Sequence, residues 1–171
     1  NQLKLQNATS HGPILVCRSL LYRYSEEIDV PKLISYLFEL FQVKSEVLIV
    51  AVFTLLFDIS RQMSYLFTPD TVHLYISGLI ANCSRYPLVT ELFELINKSV
   101  TSFKPQLLPV STIVDYLKQV IKAPKFKAQH ELGFKILQNL FKIFRDLTVP
   151  ASFFLEAVPS PGYVHALRMR M

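Results

Sequence analysis

VPKLISYLF (30–38), TPDTVHLYI (68–76), LPVSTIVDYL (108–117) and VPASFFLEAV (149–158) are four similar phrases, each led by proline at its second position. Proline suits the first turn of a helix, where its missing N–H has no partner to lose and its fixed φ is already helical. These prolines therefore read as helix starts rather than breaks. Pro31, Pro69, Pro109 and Pro150 follow one another at 38, 40 and 41 residues. After each of the first three, the pattern predicts a shorter helix, a break of a few residues and a longer helix.

Working outward from these phrases, apolar residues recur at helical spacing almost everywhere. A helix is expected over 11–24, with Ser10 as cap and Pro13 near its start. A second, over 31–41, is capped by Asp29 or Val30 and carries Leu33, Ile34, Leu37, Leu40 and Phe41 on one face. A third spans 45–66 behind Ser45. The next begins at Thr68-Pro69-Asp70, a cap, a proline and an acid in the first turn, with Val72, Ile76, Leu79, Ile80 and Cys83 on one stripe. The helix after Pro87 presents Leu88, Leu92, Leu95, Ile96 and Val100, and the one after Pro109 presents Ile113, Leu117, Val120 and Ile121. A long helix over 125–147 turns Phe126, Phe134, Leu137, Phe141 and Phe144 inward, and a short one starts at Pro150. A strand over 47–52 is conceivable from its β-branched residues, yet no Asn-Gly or Asp-Gly hairpin dipeptide occurs. The reading is all-α.

Composition agrees. Of 171 residues, 51% are hydrophobic and 18% charged, which excludes a disordered chain lacking apolar surface to offset its ordering entropy. The longest apolar run, VLIVAVFTLLF at 47–57, rises only ~16 Å as a helix, against ~30 Å of membrane hydrocarbon. It reads as a helix buried on nearly every side, with no membrane span. The polar opening NQLKLQNATS carries no secretory signal, and the first residue is not Met, so a piece of a larger protein is expected. Cys17 and Cys83 stand 66 residues apart with no CxxC, the usage of a reducing compartment, cytoplasmic or nuclear. The sequons at Asn7, Asn82 and Asn97 are read as unglycosylated.

A two-helix unit recurring at ~40 residues resembles HEAT and armadillo-type helical repeats. The resemblance covers roughly 11–158 and implies one helical-repeat domain or part of one. Its units would be a half-repeat at 11–30, then 31–68, 69–108 and 109–149, and a partial unit at 150–171. Such units cannot bury their apolar faces alone, so neighbours stack. A compact helical bundle is the alternative architecture. The resemblance implies a binding scaffold rather than a reaction.

Patterns that would support catalysis are missing or incomplete. His130-Glu131-Leu132-Gly133-Phe134 approaches the zinc-hydrolase helix motif, but its second ligand position holds Phe134, which cannot bind metal. His11, His73 and His165 are solitary, and Glu26, Glu27 and Asp29 fall in a loop. There is no G-x-S-x-G, no GxxxxGK[ST] and no GxGxxG. The expectation is no enzyme, no cofactor and no metal. Gly78 and Gly133 lie inside helices at a cost of ~1 kcal/mol relative to alanine, and close approach of a neighbouring helix would compensate.

Charge is the informative departure. Residues 1–97 hold seven Lys/Arg and nine Asp/Glu, while 98–171 hold eleven and four, so the basic excess is confined to the second part. It gathers in Lys118, Lys122, Lys125, Lys127, Lys135, Lys142 and Arg145. Lys127, Lys135 and Lys142, spaced 8 and 7 apart, would project from one side of a helix, with Lys118 and Lys122 as an i, i+4 pair on the one before. Such a stripe suits an acidic or amphipathic helical segment of another protein, or the phosphates of a nucleic acid. The phenylalanines fall on the opposite, apolar side and offer no stacking platform, which favours the protein. After Pro159-Ser160-Pro161-Gly162, the stretch 163–171 could cap the stack or dock elsewhere.

Overall fold

A computed structural model of the chain describes residues 26–144 together with Ser19 and Arg23. Among the described residues the fold is all-α, with no strand. The helices are α1 (Val30–Glu39), α2 (Glu46–Gln62), α3 (Pro69–Arg85), α4 (Thr90–Ser102), α5 (Val110–Lys122) and α6 (His130–Ile143). Ser19 and Arg23 are helical, while the rest of the expected 11–24 helix, the start at Pro150 and the 163–171 stretch lie outside the described residues.

The helix starts follow local chemistry. Asp29 Oδ1 accepts from Lys32 N at 3.1 Å, Ser45 Oγ from Leu48 N at 3.4 Å, and Thr68 Oγ1 from Thr71 N at 3.3 Å. Each bond satisfies a backbone N–H that has no partner inside its own helix. Pro31 and Pro69 occupy the first turns of α1 and α3, whereas Pro109 stands at the cap position of α5 with no side-chain bond. Replacing Thr68 by alanine is therefore expected to lower stability by about 1 kcal/mol, read as a shift in the urea midpoint at unchanged slope. An unshifted midpoint would mean that Pro69 and Asp70 start α3 without the hydroxyl.

Five expectations need correction. Leu88, expected on the apolar stripe of the helix after Pro87, is 82% exposed, because a turn closed by Val89 N to Tyr86 O delays the helix to Thr90. The 31–41 helix closes at Glu39 into a 3-10 turn, Leu40–Gln42. The 45–66 helix ends at Gln62, and Ser64–Leu66 form a separate 3-10 turn. The helix expected over 125–147 starts only at His130, because Pro124–Gln129 is a 3-10 stretch kinked at Phe126 (φ −102°, ψ 16°). Tertiary contacts hold that kink: the Phe126 ring is buried, and the buried Gln129 side chain donates through Nε2 to the carbonyl of Pro87. Finally, the short-then-long order fails in the second pair, where α3 has 17 residues and α4 has 13. Proline sets the end of α3, since a residue preceding proline is driven out of the helical region, while α4 already leaves the helix at Phe103 (ψ 150°), two residues before Pro105. Tyr86, before Pro87, has ψ 68°, and Lys104, before Pro105, has ψ 136°.

Packing joins the helices in two ways. Within each pair, α1 lies on α2, α3 on α4 and α5 on α6. Between pairs, α4 packs against both α2 and α6, and α3 against α5. Side-chain hydrogen bonds repeat at the same interval. Asn82 Nδ2 donates to Phe41 O (3.2 Å), Arg85 to Gln42 (3.0 Å), Gln129 to Pro87 O, and Asn139 to Asn97 (2.8 Å), across 41, 43, 42 and 42 residues.

The apolar side chains form one continuous core. The 47–57 run supplies its centre as part of α2: Ile49, Val52, Phe53 and Leu56 are fully enclosed, while Val47 at its start is 55% exposed. Ring contacts thread the units, from Phe38 to Phe41 (5.2 Å), Phe53 (4.4 Å), Tyr75 (5.7 Å) and Phe103 (5.9 Å). Among the described residues no helix is long and apolar enough to cross a membrane.

Candidate functional site

The basic residues occupy α5, the 3-10 stretch and α6. Lys118 is half-buried and sits 3.4 Å from Asp115 Oδ1, one turn back on α5. A pair this exposed contributes about 0–1 kcal/mol. Lys122 is exposed at the end of the same helix. Lys125 places Nζ 4.8 Å over the Phe126 ring, a cation–π contact that orients the amine along the kink. Lys127, Lys135 and Lys142 are all exposed. Lys135 and Lys142 lie two turns apart on α6 and share a side, but Lys127 belongs to the 3-10 stretch and not to that helix. Arg145 lies outside the described residues. Between residues 118 and 142 the only carboxylate is Glu131, against six lysines, so this region is strongly positive.

Phe126 and Phe134 point into the protein, whereas Phe141 and Phe144 are half-buried against the core. Phe126 is 4% exposed and Phe134 2% exposed, so neither offers a face to an external ring. His130-Glu131-Leu132-Gly133-Phe134 opens α6, with Phe134 in the core and His130 Nε2 3.4 Å from Ala123 O. Among the described residues no group of three or more His, Cys, Asp or Glu side chains is placed to hold a metal ion.

Three buried titratable groups lie between the helix pairs. The Tyr75 hydroxyl stands 3.4 Å from Ser99 Oγ, which itself donates to Leu95 O at 2.6 Å. Cys83 is a free, buried thiol that faces Tyr116. Burial pushes both phenols and the thiol well above their ordinary values, because an anion there would lose its hydration. A raised value means that the folded chain keeps protons which the unfolded chain releases. Stability is therefore complete below the ordinary thiol and phenol range and falls as pH rises through it. For Tyr75 and Cys83 the slope approaches ~1.4 kcal/mol per pH unit each. Urea titrations between about pH 8 and about pH 11 should show this fall, and a flat profile would mean that these groups reach water in the folded state.

Tertiary structure also builds two concavities between α2 and α4. A groove of about 430 Å³ runs beside Asp58, Arg61, Glu91, Glu94 and Lys98, with acids and bases mixed. Next to it, a cleft of about 580 Å³ opens between the α2–α3 and α4–α5 connections. Its walls are Ser60, Arg61, Ser64, Tyr65, Ser102 and Lys104, over Phe67, Phe103 and Leu107. Nothing in the local sequence marks Arg61 and Lys104, which are 43 positions apart and meet only because α2 packs on α4. The one available signal was the period itself, which puts Ser60 and Ser102 at equivalent places 42 residues apart. Compared with known proteins, the chain matches no protein-family model, no curated protein and no solved structure.

Proposed function

We propose that this chain is a length of HEAT/armadillo-like helical stack that acts without catalysis, as a subunit or scaffold binding another protein. The observation that carries the reading is the recurrence of side-chain bonds at 41 to 43 residues, together with the packing of α4 on both α2 and α6. Units that contact their counterparts one period away extend a stack and leave its polar sides available to a partner. The partner surface is the positive region of Lys118, Lys122, Lys125, Lys127, Lys135 and Lys142, with Arg145 a further candidate by sequence alone, and its occupant is an acidic or amphipathic helical segment. A buried free thiol at Cys83 suits a reducing cytoplasmic or nuclear setting.

Nucleic acid is the weaker partner because the rings near these lysines are buried or half-buried against the core, leaving no fully exposed platform for base stacking. The test is fluorescence anisotropy with an acidic helical peptide and with a single-stranded RNA of equal charge. Changing Lys127, Lys135 and Lys142 together to glutamate should weaken the peptide about tenfold or more. Tighter binding of the RNA, with a steep loss in salt, would replace this reading with a nucleic-acid one.

A further inference from the structure

We propose that the cleft between the α2–α3 and α4–α5 connections is a second binding site, one that takes an anionic group, carboxylate or phosphate, carried beside an apolar or aromatic body. The site deepens the protein-binding reading and rests on it only for the source of that group, a segment of a protein partner. Three features of the cleft point to this ligand chemistry.

The first is charge. Arg61 and Lys104 line the cleft and no carboxylate does; Arg61 also borders the adjoining groove, where the acids Asp58, Glu91 and Glu94 lie. Among the described residues neither cation has an ion-pair partner. The C-terminal ends of α2 and α4 bring roughly half a negative charge each, which two full positive charges outweigh. Arg61 presents a planar fork of donors and Lys104 a point charge, a pair suited to carboxylate or phosphate oxygens.

The second is the combination of polar rim and apolar floor. Ser64 and Ser102 are exposed with hydroxyls free to bond, whereas Ser60 already donates to Phe57 O at 2.7 Å. Phe67 and Phe103 form the floor with ring centroids 6.0 Å apart. Tyr65 is 79% exposed at the rim, a large ring left in water. Tyr and Arg are the residues on which binding energy concentrates at protein interfaces. The volume also falls in the ordinary range for pockets that take a small group.

The third is rigidity. Met63 N donates to Ile59 O (2.8 Å), Leu66 N to Met63 O (3.0 Å) and Phe67 N to Ser64 O (3.1 Å) on one wall. Leu107 N donates to Lys104 O (2.9 Å) and Leu108 N to Pro105 O (3.2 Å) on the other. Walls already ordered spare a ligand the entropy of ordering them.

The test is an NMR titration of the full chain with phenyl phosphate, phenylacetate and neutral phenol. Saturable amide shifts confined to 60–67 and 102–107 are expected for one or both anions and not for phenol. If phosphate binds the tighter, a phosphorylated partner is the source, and if phenylacetate does, an acidic or C-terminal carboxylate is. The double variant Arg61→Gln, Lys104→Gln should weaken the preferred anion about tenfold while leaving the rest of the spectrum in place. Tyr65→Ala is a second variant at an exposed position, expected to weaken both aromatic anions with the fold kept. Shifts that scatter over the basic α5–α6 region, that fail to saturate, or that survive the double variant would overturn the site. The probes contain no protein, so that outcome leaves the scaffold reading to its own peptide test.

Discussion

Phe53→Ala is expected to lower the free energy of unfolding by about 3–5 kcal/mol. Phe53 sits on α2 with no exposed surface. Its ring stacks on Phe41 at 4.4 Å and 26°, and meets the edge of Tyr75 at 5.7 Å. It thus joins the turn after α1, the centre of α2 and the middle of α3. Alanine would leave a cavity bounded by rings that cannot close in, since each is held by another neighbour, Phe38 against Phe41 and Phe103 against Tyr75. Domains are stable by only about 5–15 kcal/mol, so this one change removes a large share. Urea denaturation by two probes, circular dichroism and tyrosine fluorescence, would measure it. Coincident transitions shifted together are expected, and a loss below about 1 kcal/mol would show that the site relaxes around the missing ring.

The second expected result is a pair of opposite signs. Both Gly78 and Gly133 are helical glycines, and helix propensity alone favours alanine at each by up to ~1 kcal/mol. At Gly78 a methyl group would fall within the Phe41 ring, at Cδ2 and Cε2. That ring cannot swing aside, because it is buried and stacked on Phe53, and its backbone carbonyl accepts from Asn82 Nδ2 at 3.2 Å. Overpacking costs about 1–3 kcal/mol and outweighs propensity, so Gly78→Ala is destabilising. At Gly133 the nearest atoms to an added methyl are Ile121, Leu117 and Val120 at 3.8–3.9 Å, ordinary contact distance. Gly133→Ala is therefore expected to stabilise by about 0.5–1 kcal/mol. In a Phe41→Ala background the cost of Gly78→Ala should largely vanish, because Cγ, Cδ2 and Cε2, the atoms it meets, are gone. Equal effects at the two glycines would refute the packing argument. The close approach expected at both is thus present at Gly78 alone.

How much of this was legible beforehand depended on the range of the interaction. The starts of α1, α2 and α3 were readable because Asp29, Ser45 and Thr68 cap groups three residues away, within reach of local sequence. The apolar stripes gave most of the core: Val72, Ile76, Leu79 and Cys83 are buried and Ile80 is half-buried. The start of the last helix was not readable, since helical periodicity runs straight through Phe126. What holds 124–129 in a tighter turn is a bond from Gln129 to Pro87, 42 residues away. Among the candidate residues, the lysine excess was visible as composition. The separation of Lys127 from the helix carrying Lys135 and Lys142 was not.

By itself the sequence determined that this protein is all-α, where most helices begin, and most of the residues they bury, though not the exposure of Leu88, because capping, proline geometry and periodicity act within a turn or two. Only the tertiary structure decided where helices give way to 3-10 turns, which glycine a neighbour occupies, and that Arg61, Tyr65 and Lys104 share one cleft. Those outcomes depend on contacts about forty residues apart, and the chain acquires them only when one helix pair packs on the next.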